Sequence, residues 1–260
     1  MTPGPVRTAS GGHRLFARYA PAPNALGYCG PESAAVLRAV ASGSSDADVT
    51  AIARQFSGAW PYQATMAGLA GIDDPLDARI GRAYWTGNDV TDTIDREQFG
   101  RDLLDTIRPQ AGHYWSHLDE SLLVEASPTH GFHVLGVYPW SRMLDMGRPE
   151  ALHVLDSCRV TWGRVVTVGP DTLEVAVRHL VYAAGVLSLD AERVEQVGHR
   201  LDGATFIDSV DVGDHVAVHW NFVCDTLTAV EAESLERWTH WQLDAMAPRL
   251  HAQHRCGALD

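Results

Sequence analysis

The side chains best equipped for chemistry in this 260-residue chain are its thirteen histidines and four cysteines. Cys29 stands in Gly27-Tyr28-Cys29-Gly30-Pro31, just ahead of a predicted helix. A helix N-terminus favours the thiolate, so this placement predicts a lowered thiol pKa. The flanking glycines would let a ligand or backbone approach closely. A small cysteine buried in a turn would satisfy the same pattern. His113 and His117 are four apart and would share one helical face. His130 and His133 flank Gly131 in an apparent loop, where binding residues concentrate. With Asp119, Glu120 and Glu125 they could build a metal site of nitrogen and carboxylate donors, or they could be surface and aromatic-packed histidines. His251, His254 and Cys256 fall in a tail expected to fray.

Composition removes other chemistries. All 20 basic residues are arginine, which excludes a lysine Schiff base and a phosphate loop of the Walker type. A net charge of −13 argues against duplex DNA as a partner. No hydrolase nucleophile elbow, dinucleotide fingerprint or kinase motif set is present. No apolar run approaches the ~20 residues of a membrane span. The opening MTPGPVRTASGGHR lacks a hydrophobic signal core, which predicts a cytoplasmic protein with free thiols.

The elements that must position these residues follow from hydrophobic period and punctuation. Residues 1–12 read as a disordered tail. From 13 to 152 the pattern is helical: Pro31 opens a helix through SAAVLRAV that Gly43 stops, and Ser44 or Ser45 caps DADVTAIARQF. Further helices are predicted over 62–70, 76–85, 95–107 and 118–126, and 133–138 reads as a short strand or a helix start. The texture changes near Leu155. CRVTWGRVVTV, Gly169-Pro170-Asp171 and TLEVAV read as two strands around a tight turn. In a later strand Val216, Val218, Trp220 and Phe222 share one face, while Ala217, His219 and Asn221 share the other. That parity sets Cys224 opposite His219, as a core cysteine or a further ligand. Thr228 and Glu231 form a capping box for a last helix with Leu235, Trp238, Trp241 and Ala245 as its stripe. The expected fold is α+β: a helical domain, a small β-barrel over 153–228, and a C-terminal helix with its tail over 229–260.

The second half resembles the hydrogenase maturation chaperones of the HypC/HupF/HybG family. The matching pieces are Cys158-Arg-Val-Thr-Trp-Gly163 with the strand after it, the Gly169-Pro-Asp171 turn with TLEVAV, and Val212-Gly213-Asp214 leading through an apolar strand to His219, then Leu227 and an acidic helix. The resemblance runs from Asp156 to about Trp238. It implies an OB-like barrel whose Cys158 and His219 hold iron, as the Fe(CN)2CO unit of the hydrogenase active site, on its way between a scaffold protein and the hydrogenase large subunit. Thiolate and imidazole suit low-spin iron better than hard oxygen donors do. The whole chain also resembles an uncharacterised, hydrogenase-associated bacterial family.

The chain departs from the chaperone pattern in three places. The family's cysteine follows the initiator methionine, whereas 157 residues precede Cys158. Trp162 replaces a proline before the glycine, and the segment from His179 to Gly203 is longer than the family's loop. An internal cysteine reaches a partner only where Asp156 and Ser157 form an exposed linker. The expected function is therefore a non-enzymatic accessory protein of nickel–iron hydrogenase maturation that holds or delivers iron or docks to the large subunit. The competing expectations are a metal- or thiol-dependent enzyme built on Cys29, His130 and His133, and a metal-free structural adaptor.

Overall fold

The computed structural model describes residues 11–110, 117–201 and 203–257. His113 lies outside them, as do residues 1–10 of the expected tail. The chain is α+β. Helices α1 (Gly11–Tyr19), α2 (Pro21–Ala25), α3 (Ala34–Ala41), α4 (Thr50–Ala53), α5 (Trp60–Ala70), α6 (Ala78–Trp85), α7 (Asp89–Thr93), α8 (Arg96–Ile107) and α9 (Pro149–Cys158) come first. Strands β1 (Thr161–Val168), β2 (Thr172–Val177), β3 (Leu180–Ala183), β4 (Val186–Leu189), β5 (Arg193–Gly198), β6 (Arg200–Leu201), β7 (Ala204–Thr205), β8 (His215–His219) and β9 (Phe222–Leu227) follow, and α10 (Ala229–Gly257) ends the order.

Side-chain caps fix several helix starts. Asp77 accepts from Arg79 N at 2.8 Å, and Asp95 accepts from Gln98 N at 2.8 Å. The expected box at α10 forms: Thr228 N donates to Glu231 Oε2 at 2.8 Å and Glu231 N to Thr228 Oγ1 at 3.2 Å. The helix predicted over 118–126 is a tighter 3₁₀ stretch over Glu120–Glu125. The ambiguous 133–138 segment is a π-helix, Phe132–Val137. The C-terminal tail does not fray at His251, because α10 continues to Gly257 and His254 Nδ1 meets Asp145 Oδ1 at 2.7 Å. The buried face of α10 runs through Leu235, Trp238, Gln242, Met246 and Leu250, while Trp241 and Ala245 are only half-buried.

Five strands close into a barrel in the order β1-β2-β5-β9-β8, antiparallel except where β5 meets β9. This is the OB-like arrangement expected from the sequence. Its interior is filled by Val165, Leu173, Val175, Val177, Val197, Val216, Val218 and Val223. Gly163 is required there, because a Cβ would lie 2.5 Å from Val175 Cγ1 and 2.6 Å from the Ala176 carbonyl. The long segment after β2 adds the β3–β4 hairpin, which packs its Leu180 and Leu187 with α9 and α10 residues in a separate core.

The long strand expected through Phe222 is broken. Trp220 and Asn221 both take positive φ, 53° and 57°, and turn β8 back into β9 as a two-residue hairpin. Left-handed φ at both central positions is the hairpin geometry that matches strand twist. The break corrects the expected parity: Ala217 and Cys224 both face the helical core, so Cys224 lies on the His219 side of the sheet.

One core joins both halves. Buried Leu15, Phe16, Tyr62, Met66, Ile80 and Phe99 are continuous with Ala217, Cys224 and Leu227 on the outer face of the barrel. At the same seam buried Asp225 receives Arg18 at 2.8 Å and Arg82 at 2.6 Å. Removing one member of such a group would strand a buried charge, at a cost of about 3–5 kcal/mol.

Candidate metal centre

His219 ends β8 on the barrel's outer face. Its Nδ1 donates to the Tyr19 carbonyl at the end of α1, 2.8 Å away. That bond sets the neutral tautomer; Nε2 is buried and makes no hydrogen bond of good geometry, although the Cys158 backbone lies close enough to act on the ring. A backbone carbonyl orienting one ring nitrogen while the other stays available is how metal-binding histidines are commonly held.

Cys158 is the last residue of α9, buried, one loop before β1. The exposed linker that an internal cysteine would need in order to reach a partner is absent at Asp156 and Ser157. Asp156 and Ser157 belong to α9, and Asp156 is gripped by His179 Nδ1 at 2.5 Å and the Leu180 amide at 2.8 Å. The Ser157 carbonyl accepts from Trp220 N at 2.9 Å, which joins α9 to the β8–β9 turn.

His130 and His133 enter from the π-helical region. Extra residues in a turn re-aim side chains and recur at functional sites. His130 Nε2 lies 2.9 Å from the Cys158 carbonyl, and its Nδ1 lies 2.8 Å from the Tyr84 hydroxyl, which also contacts the Gly58 carbonyl. His133 Nδ1 is 3.0 Å from the Tyr62 hydroxyl. Gly58 makes room for this ring, because a Cβ there would sit 2.6 Å from His133 Nε2.

These residues line one cavity. His130, His133 and Cys29 meet Cys158 from the end of α9 and His219 from the barrel, walled by Phe16, Phe56, Trp85, Tyr138 and Trp220. The two constellations that the sequence kept apart are a single site. Its central volume is about 30 Å³, above the roughly 10–15 Å³ that one small occupant needs. Among the described residues, the donor atoms of His130, Cys158 and His219 all lie within 4.8 Å of one another. Tyr28 stacks on Trp220 with ring centroids 4.2 Å apart and covers the outer side.

Burial makes the site electrically neutral. It lowers His133 and His219 to about 4 and His130 well below its ordinary value, with neighbouring imidazoles adding to the effect at His130 and His133. It pushes the Cys158 thiol far up, aided by the charge Cys29 would carry, while the Trp220 indole acts in the opposite sense. The expected low pKa of Cys29 is reversed: burial raises it to about 12. Its helix begins only at Ala34, so the thiol sits beyond the reach of that helix end and against apolar walls instead.

The other sequence candidates lie elsewhere. Cys224 is buried in the main core, its thiol donating to the Phe222 carbonyl at 3.5 Å. His117 Nε2 donates to the Val137 carbonyl at 2.8 Å. Glu125 is paired with Arg249 at 2.7 Å, and Asp119 caps its 3₁₀ turn through Ser121 N at 2.8 Å. The acids therefore do not join the histidine site. Tyr84, Tyr28, Gly58 and the Tyr19 carbonyl escaped sequence reasoning. Only the position of Tyr84 on the apolar face of α6 hinted that it points inward.

A closed barrel fused to a helical half, with nitrogen and sulfur donors gathered at their junction, defines an α+β protein with a candidate soft-metal centre. The chain belongs to DUF6390, a family of unknown function whose model matches residues 8–253. No curated protein and no solved structure matches it. No helix among the described residues is long and apolar enough to cross a membrane.

Proposed function

We propose that the protein is an accessory factor of nickel–iron hydrogenase maturation that holds iron through Cys158 and His219, with His130 as a third donor. The observation that carries this reading is the buried cluster in which one donor atom each of His130, Cys158 and His219 lies within 4.8 Å of the others. A buried polar group is ordinarily well hydrogen-bonded, and His219 Nε2 makes no hydrogen bond of good geometry. The donors contain no carboxylate, which disfavours magnesium or calcium and favours iron, zinc or copper.

The residues present fit such an ion. His219 is ready as a neutral ligand. His130 joins through Nε2 by exchanging its contact with the Cys158 carbonyl, while Nδ1 stays on the Tyr84 hydroxyl. Cys158 must lose its proton on binding. Iron held here sits in an enclosed chamber rather than at a free chain end, so release to a scaffold or large-subunit partner requires the Tyr28–Trp220 cover to part. A second reading, a metal-dependent enzyme, draws on the same three donors, since three protein ligands leave a position for substrate. The raised Cys29 pKa opposes a thiolate-nucleophile version of that reading.

Anaerobic reconstitution of the full chain with Fe(II), followed by metal analysis, tests the centre. Stoichiometric iron in the wild type and its loss in Cys158→Ala and His219→Ala are expected, and no retained iron in the wild type would overturn the reading. Deleting the gene in a hydrogenase-producing host separates accessory factor from enzyme. The accessory reading requires an iron-free, immature large subunit in the deletion strain, and a mature subunit there would sink it.

A further inference from the structure

Cys29 lines the cavity but stands outside the three-donor cluster. Its surroundings differ from those of every other donor. His130, His133, Cys158 and His219 sit on or beside helices and strands, whereas Cys29 rides a surface loop whose residues Leu26, Gly27, Tyr28 and Gly30 are exposed. Gly27 and Gly30 both adopt φ of +77° and bracket it. That is backbone which few other residues adopt, placed on either side of the only donor on a loop. The side chain of Asn24 holds the loop from within, donating to the Cys29 carbonyl at 2.8 Å and the Pro31 carbonyl at 2.5 Å and accepting from Ser33 N at 3.3 Å. The one aromatic on the loop, Tyr28, is the ring that covers Trp220. Cover and thiol are therefore adjacent residues of one loop.

We propose that Cys29 is the fourth metal ligand: the loop bends inward at Gly27 and Gly30 and completes a two-cysteine, two-histidine coordination shell with Cys158, His130 and His219. This rests on the iron-holding reading above. It extends that reading by making the site closed when loaded and opened from the Cys29 side. Four nitrogen and sulfur ligands match tetrahedral Fe(II), Zn(II) or Co(II), and a closed shell retains its ion whereas an open one exchanges it. Both thiols give up a proton to solvent as the ion enters, so two protons leave for each ion bound. The buried His219 Nε2 in the same cavity, which makes no hydrogen bond of good geometry, supports a ligand there.

Co(II) serves as the probe, because its thiolate charge-transfer absorption follows the number of coordinated sulfurs. The Cys29→Ser variant of the full chain is expected to bind Co(II) with this absorption about halved and the ion exchanging at least about tenfold faster. Alkylation with peptide mass spectrometry gives a second readout. Co(II) is expected to protect Cys29 and Cys158 together, while exposed Cys256 reacts at an unchanged rate. Protection of Cys158 alone, with an unaltered spectrum in Cys29→Ser, would overturn the fourth-ligand assignment and leave the three-donor centre standing. Failure of the wild type to take up Co(II) or Fe(II) at all would overturn both.

Discussion

His219 and Tyr19 are 200 residues apart in sequence and joined by a 2.8 Å hydrogen bond from the His219 imidazole to the Tyr19 carbonyl. This contact ties the last barrel hairpin to the first helix and fixes the ring that lines the cavity. Replacing His219 by Phe keeps a ring of similar bulk and removes the donor. The metal-free variant should lose about 1–3 kcal/mol in urea unfolding, because the Tyr19 carbonyl is left buried without a partner. It should also bind no iron. A variant with wild-type stability and iron content would refute this role.

Acidity should weaken the metal-free protein. His133 and His219 titrate near 4 when folded, and burial also holds His130 well below its ordinary value, against about 6.5 in an unfolded chain. Below pH 6.5 the unfolded chain therefore takes up protons that the folded chain refuses. Stability is complete above 6.5 and falls progressively toward pH 4. Urea midpoints measured from pH 7.5 to 4.5 check this, and His133→Phe or His219→Phe should flatten the slope.

Metal affinity should run with pH for a different group. The histidines are already neutral at pH 7, so only thiol protons compete with the ion. One coordinated thiolate gives about a tenfold gain in affinity per pH unit below the thiol pKa, and two give about a hundredfold. Competition titrations between pH 6.5 and 8.5, with proton release measured in weak buffer, distinguish these slopes from a flat profile.

Tyr84→Phe removes the hydroxyl shared by His130 and the Gly58 carbonyl while preserving the packed ring. Outer contacts of this kind are worth about 10–100-fold in metal affinity. Metal binding should weaken by that order with the donor set intact. Unchanged affinity would show that His130 is not held through Tyr84.

Trp220→Gly should separate stability from enclosure. The left-handed backbone at Trp220 costs about 1–2 kcal/mol that glycine does not incur, so the variant should lose less than the ~3–5 kcal/mol typical of truncating a large buried aromatic. Its Cys158 should nevertheless alkylate faster, because the Tyr28 stack is gone. Equal labelling rates in variant and wild type would remove Trp220 from the cover.

Local signals made much of the fold legible. The capping box of Thr228 and Glu231, the turn at Gly169–Asp171 and the alternation of β1 and β2 are decided within a few residues. The pairing of Cys158 with His219 was available through a resemblance, and Gly163 has a clear steric reason. What remained hidden depends on distant packing. Trp220 and Asn221 lack the glycine that announces a tight hairpin, so the strand pattern read straight through them. The convergence of Cys29, His130 and His133 on Cys158 at the end of α9 and His219 of the barrel is set by how α1, α6 and α9 dock, which no local period encodes. The same docking reversed the Cys29 pKa, since desolvation by Phe56 and its neighbours outweighs a helix end that begins too late.

The continuous core between the helical half and the barrel has a mechanical consequence. Each side owns only part of the donor set, so an ion in the cavity acts as a rivet across the seam. Loading should strengthen a joint that the shared core already makes, and force applied across it would be felt first as a change in the grip on the cargo. A partner that levers the seam apart could therefore unload the protein without touching the ion, and neither side could evolve as an independent module without forfeiting the other's ligands.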